Sequence, residues 1–249
     1  MTASLGAAAD RFRSLHRPGR PVVLPNAWDA ASARIVRDAG FPAVATSSIA
    51  VAESLGYADG GGAPAAEMFA AAGRIAAAVD VPVTVDAEDG YGLPPEELVE
   101  RLVSVGAVGC NLEDSTGGAL TDVDIHAARL ATVRAAAVRS GIPLVINARV
   151  DVFVRSGGTP EADLVDEAVA RANRYLAAGA DCAYPILCRR EETMAALIER
   201  IDGPVNLHWS AEGPSVARLA DLGVARVSTG GGLWASTMDG FRKAVGALA

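Results

Sequence analysis

Val81-Pro-Val-Thr-Val-Asp-Ala-Glu-Asp-Gly-Tyr-Gly92 is a short β-branched run that ends in acids and glycines. Ala-rich stretches with a 3.6-residue apolar period flank it, at 65–79 and 96–105, and Gly106 then opens another apolar run. The same phrase recurs along the whole chain. Strands are predicted at 21–25, 42–48, 81–88, 107–114, 143–151, 180–187, 204–209 and 224–229, with further helices at 125–139 and 161–178 and a short one near the N-terminus. Gly40, Gly106, Gly141, Gly179 and Gly223 close helices just ahead of strands, where a left-handed conformation costs glycine nothing. Runs such as Ala107-Val-Gly-Cys-Asn-Leu112 suit parallel strands covered outside by helices and packed on each other inside. Eight such units in 249 residues predict an α/β protein, a single-domain (β/α)8 TIM barrel with a short N-terminal helix; an open doubly wound sheet is the alternative.

Composition narrows the function classes. Hydrophobic residues make up 51% of the chain, enough for one large core, and 30 acids against 22 basic residues leave a formal charge of −8. That field repels nucleic acid and anionic lipid, so neither is expected as a partner. Cys110, Cys182 and Cys188 are odd in number and lack zinc-finger spacing, which points to a reducing compartment. With no long apolar span and no secretory leader pattern, a cytoplasmic protein is expected.

In a barrel of this kind, chemistry gathers at the carboxyl ends of the strands. Period-two alternation sends Asp86 with Glu88, Asn111 with Glu113, and Asn147 with Arg149 and Asp151 toward the mouth, while Ala87, Leu112, Ala148 and Val150 face the helices. Carboxylates converging there without matching positive charge call for a hard divalent cation, Mg2+ with Mn2+ as the alternative. Asp89 and Asp114 read more simply as helix caps or loop residues. Arg149 is either a clamp for a substrate carboxylate or a buried ion-pair partner. Ser47 and Ser48 close the second strand, and the segment 50–62 after it has the length of a mobile lid. His208 and Asn206 alternate on the seventh strand and should both point inward. His16 and His126 fall on helices and read as surface groups, and Cys110 points outward into the core.

Five strings in this order resemble the isocitrate lyase/phosphoenolpyruvate mutase superfamily: Leu24-Pro-Asn-Ala-Trp28-Asp29-Ala-Ala-Ser-Ala; Ser47 with Ala52-Glu-Ser-Leu-Gly-Tyr-Ala-Asp59; Val85-Asp86-Ala-Glu88-Asp-Gly-Tyr-Gly; Asn111-Leu-Glu113-Asp114; and Asn147-Ala-Arg149-Val-Asp151. The resemblance implies Mg2+ and a 2-oxo acid at the barrel mouth, with a C–C or P–C bond made or broken beside an enolate-like centre. It implies that Asp86 contacts the metal directly while Asp59, Glu88 and Glu113 act mainly through its waters, and that Ser47, the neighbouring backbone and Arg149 hold the substrate carboxylate. Trp28, Ser48 and Asn206 join the expected substrate contacts, and Arg149, Glu113, His208 and Tyr91 the expected catalytic groups.

Two departures stand out. Glu88 replaces the family's usual second Asp, and Asp114-Ser-Thr-Gly-Gly-Ala-Leu120 contains neither the Lys-Cys-Gly-His element of the lyases nor the Lys and Asn of phosphonate-forming members. Another group must then protonate a departing carbanion; His208, Tyr91 and a metal-bound water are the candidates. The expected activity is that of an Mg2+-dependent C–C lyase acting on a small 2-hydroxy- or 2-oxo-carboxylate. A phosphonate mutase or hydrolase, motivated by Gly230-Gly-Gly232, and a non-catalytic metabolite-binding barrel are the alternatives. A homo-oligomer, dimer or tetramer, is expected, with the family's swapping C-terminal helix short or missing because the sequence stops at Ala249.

Overall fold

The computed structural model describes residues 2–248. In chain order the elements are α1 (Thr2–Ser14), β1 (Val22–Leu24), β2 (Asn26–Ala27), α2 (Ala30–Asp38), β3 (Val44–Thr46), α3 (Ser48–Leu55), α4 (Ala65–Ala77), β4 (Val83–Asp86), α5 (Pro95–Ser104) and β5 (Gly109–Glu113). There follow β6 (Ser115–Thr116), β7 (Ala119–Leu120), α6 (Val123–Arg139), β8 (Val145–Val150), α7 (Glu161–Ala177), β9 (Cys182–Pro185), α8 (Glu191–Arg200), β10 (Asn206–His208), α9 (Val216–Asp221), β11 (Arg226–Ser228) and α10 (Gly232–Gly246).

Proline chemistry and strand pairing together close the barrel. Pro25 separates β1 from β2, two pieces of the first barrel strand, because proline has no N–H for a ladder. β2 begins the parallel series β2-β3-β4-β5-β8-β9, and β1 pairs with β11, which pairs with β10. The parallel bridge Ala183↔Val205 joins the two sheets between β9 and β10. The circuit of eight strands is therefore complete, and the doubly wound alternative is excluded. All eight predicted strands are present, the first split at Pro25 and running on to Ala27 and the others shortened.

Outward-facing Cys110, Leu112, Ile146, Ala148, Val150, Leu207 and Val227 join the helices in one apolar core. Leu98 and Leu102, one turn apart on α5, are fully buried in it, each worth about 2 kcal/mol of transfer free energy. The inward positions carry Thr84, Asp86, Asn111, Asn147, Asn206, Arg226 and Ser228, several hydrogen-bonded to one another. Helix α1 covers the amino-terminal end of the strands, where Arg13 reaches the Pro143 and Leu144 carbonyls and Asp181, and Phe12 is fully buried.

Three further expectations give way. His16 and His126 are buried rather than exposed, each against an aromatic ring (Phe12 and Tyr175), and burial pushes both pKa values down to about 4. Asp114 is no loop solubiliser: it is fully buried, accepting from the Asp151 amide (2.8 Å), the Tyr175 hydroxyl (2.8 Å) and Arg171 (3.1 Å). The first half of the supposed lid is helix α3, capped by the Ser47 hydroxyl and ended by left-handed Gly56.

Helix α10 differs from the others. It has no buried residue, and Phe241, Val245 and Leu248 near its end are exposed. An apolar slot of about 350 Å3 stands open on the barrel's outer face, lined by Val23, Ile35, Phe41, Val216, Val227 and Leu233 among others.

Candidate active site

The carboxyl ends of the strands open into a cavity of about 740 Å3, and Ser47, Ser48, Asp59, Asp86, Arg149 and His208 line it. Asp86 ends β4 and is held on both oxygens. Its Oδ2 accepts from the Ser48 amide (3.1 Å) and hydroxyl (2.8 Å), and its Oδ1 from Asn111 Nδ2 (3.3 Å). These contacts orient the carboxylate while leaving lone-pair directions toward the cavity.

The other acids arrive by different routes. Glu88 lies beyond β4 with φ of 49°, so the period-two argument does not apply to it; the left-handed turn nevertheless brings it near Asp86 and Asp59. Burial first, then those two neighbours, push its pKa up to about 7. Burial likewise raises Asp59, with Asp86 adding to the effect. Glu113, at the end of β5, is raised to about 8 by burial, against the pull of Arg149, whose Nη1 lies 2.7 Å from its Oε2.

Arg149 is gripped from behind. Its Nε donates to Asp151 Oδ1 (2.6 Å) and its Nη2 to Asp151 Oδ2 (3.1 Å), and Asp151 is fully buried. Burial opposes the guanidinium charge, but Asp151 and Glu113 outweigh it, so Arg149 stays a cation. The two readings of Arg149 from sequence are thus compatible: it is an ion-pair partner that also faces the cavity. Asp151 as its clamp was missed; its place two residues after Arg149 on one face was the available signal.

Several predicted residues stand elsewhere. The Tyr91 hydroxyl donates to the Asp86 backbone carbonyl (3.3 Å), its ring packs edge-on against Phe69, and burial and the nearby acids raise its pKa well above 10, all unsuited to a proton donor in the cavity. Asn206 is fully buried one strand-repeat below His208 and donates to Ser228, so it is not a substrate contact. Trp28 packs edge-on against Trp234 of α10, outside the cavity lining. Burial lowers the pKa of His208, and Gly230 approaches its ring so closely that a Cβ there would meet Nε2 at 3.1 Å. The wall from α10, including Met238, Asp239 and Arg242, had no signal in the strand pattern.

The segment after Glu113 is a tight hairpin. β6 and β7 pair antiparallel across Gly117 and Gly118, whose φ values of 60° and 87° are those glycine adopts readily. Thr116 ties the hairpin to Asp89 (3.2 Å). No lysine, cysteine or histidine is present on it.

Among the described residues no three His, Cys, Asp or Glu side chains form a ready-made metal cage. The acids gathered at the mouth offer hard carboxylate oxygens, however, and Mg2+ typically binds through one or two carboxylates and keeps several waters. The chemistry of the site fits such an ion, with Asp86 as the oriented ligand.

A family model for phosphoenolpyruvate phosphomutase matches residues 12–249. The chain belongs to this family. Among solved structures, a Burkholderia cenocepacia J2315 chain named as a phosphonomutase is 45% identical, with a TM-score of 0.90 over 95% of this chain and 98% of that one. A 2,3-dimethylmalate lyase, described as a member of the PEP mutase/isocitrate lyase superfamily, is 27% identical, with a TM-score of 0.85 over 98% and 84%. An uncharacterized protein of Mycobacterium tuberculosis H37Rv is 36% identical over 220 residues, 88% of this chain and 81% of that protein. The superfamily resemblance drawn from the five strings is borne out, and members of this group are lyases and mutases.

Proposed function

We propose that this phosphomutase-family chain is a divalent-metal-dependent C–C lyase for a small 2-hydroxy- or 2-oxo-carboxylate. The observation that carries the reading is the pairing of Arg149 with Asp86 on one cavity: a fixed cation for a substrate carboxylate beside an oriented hard-oxygen ligand. Asp86 would hold Mg2+ or Mn2+ directly, with Asp59, Glu88 and Glu113 on its waters; when bound, the ion supplies Lewis-acid stabilisation of the enolate charge. Arg149 binds the carboxylate, and the amino-terminal end of α3 after Ser47, whose Ser48 amide already serves Asp86, turns its dipole to the same anion. His208 lines the cavity and rests as neutral imidazole because burial lowers its pKa. On a 2-hydroxy acid it takes the 2-hydroxyl proton as the C–O bond becomes a carbonyl and the C–C bond breaks, and returns that proton to the departing carbon. This assigns to His208 the proton transfer for which the hairpin has no residue.

The test is turnover of a panel of malate-like and citrate-like acids and oxaloacetate with Mg2+ or Mn2+, with 2-oxo-acid product measured by coupled reduction. Asp86→Ala should abolish both turnover and ion affinity; a panel that yields no product with either ion overturns the reading. A second reading, P–C chemistry on a phosphonate, draws on Gly230, Gly231 and Gly232 lining the cavity and on the B. cenocepacia relative. Phosphorus NMR of phosphonopyruvate with enzyme and Mg2+ tests it, and an unchanged spectrum removes it. Exposed α10 beside the open apolar slot also supports a homo-oligomer in which a second copy covers them.

A further inference from the structure

Arg226 lies inside the barrel beneath the cavity and is fully buried. Its polar partners are neutral: Nε lies 3.3 Å from the Ser228 hydroxyl, Nη2 lies 3.2 Å from Asn111 Oδ1, and Nη1 has no partner. The Phe12 ring stands 6.0 Å from the guanidinium carbon. Burying a guanidinium without a carboxylate on it is costly, so its placement needs a local reason.

Asn111 supplies one. Its Oδ1 accepts from Arg226 Nη2 and from Asn147 Nδ2 (2.8 Å), and its Nδ2 is thereby turned to Asp86 Oδ1 (3.3 Å). Asn147 cannot fix this orientation by itself. Its own Oδ1 has no partner, so both amides could turn over together and keep their mutual hydrogen bond. Asn111 would then present a carbonyl oxygen to the Asp86 carboxylate. A guanidinium has donors and no acceptor, so it forces the oxygen of Asn111 toward itself and the amide N–H toward Asp86.

We propose that Arg226 is a positioning residue for the ion site: by fixing the Asn111 amide it keeps a permanent donor on Asp86 Oδ1 and holds that carboxylate ready to ligate. The inference rests on the metal reading of Asp86 given above. Groups that orient metal ligands typically contribute about 10- to 100-fold to metal affinity.

The experiment is titration of the full chain with Mn2+, free ion read by electron paramagnetic resonance, with folding of each variant checked by circular dichroism. Arg226→Gln carries an amide that can turn over and should weaken Mn2+ binding roughly tenfold. Arg226→Lys, donor-only like arginine, should restore most of that loss. Asn111→Leu should weaken binding similarly, and the double variant Arg226→Gln/Asn111→Leu should be no weaker than Asn111→Leu alone. Asn147→Leu, which leaves the deciding donor in place, should bind within about twofold of wild type and provides the test if Arg226→Gln does not fold. Unchanged or tighter binding by Arg226→Gln, multiplicative losses in the double variant, or a loss in Asn147→Leu as large as in Asn111→Leu overturns the proposal. Failure of the wild type to bind Mn2+ at all overturns the metal reading itself, and the positioning role with it.

Discussion

His126→Phe should remove about 2 kcal/mol of acid sensitivity from the fold. His126 is 3% exposed, packs edge-on against Tyr175 at 4.8 Å, and has no hydrogen bond on Nε2. Burial, aided by Arg129 and Arg171, lowers its pKa from 6.5 to about 4. The folded state therefore resists protonation that the unfolded chain accepts. Stability from this group is fully present above the unfolded value of 6.5 and is lost as pH falls toward about 4. At about pH 5 the unfolded imidazole is roughly 97% protonated and the folded one roughly a tenth, a difference of about 2 kcal/mol. Phenylalanine keeps the ring contact and has nothing to titrate. Urea unfolding of wild type and variant, at one protein concentration and at about pH 7.5 and about pH 5, isolates the effect because His16 and every other group are common to both. The variant should lose about 2 kcal/mol less than wild type on acidification. Equal losses would refute the assignment of His126 as a buried neutral imidazole.

Two more outcomes follow from the site and the surface. His208→Gln should lower kcat by about 100-fold or more, with KM changed less than about threefold, and should remove the acidic limb of the kcat–pH profile; a full-rate variant excludes His208 as the proton carrier. Phe241→Asp, at an exposed apolar position of α10, should shift the light-scattering mass from an oligomer to the monomer, and a monomeric wild type would refute the oligomer.

Much of the barrel was legible because it rests on local rules. The eight apolar runs, the helices at 65–79, 96–105, 125–139 and 161–178, and the glycines that close them all appear with ends shifted by only a few residues. Period-two alternation correctly separated Asp86, Asn111 and Arg149 from Leu112, Ala148 and Val150. It did not apply to Glu88, which is itself left-handed and lies beyond the strand's end at Asp86, and it placed Asn206 inward correctly but could not tell that the residue sits too deep to meet the cavity. The same rule could not predict which inward residues are hydrogen-bonded beneath the mouth. Arg226 falls inside the predicted strand 224–229 with no pattern to mark it as interior, yet it is fully buried.

The chain's amino acids alone determined the number of strand-and-helix units, the family, and the acids at the strand ends, because each depends on periodicity or on a short run of neighbouring residues. Tertiary structure alone decided that Asp151 grips Arg149, that Tyr91 turns to the backbone of Asp86, that His126 is sealed in the core, and that Arg226 reaches Asn111 across 115 positions of chain. Contacts of that kind depend on where closure of the barrel sets one strand against another, and on how much water each side chain loses there, and neither is encoded in local pattern.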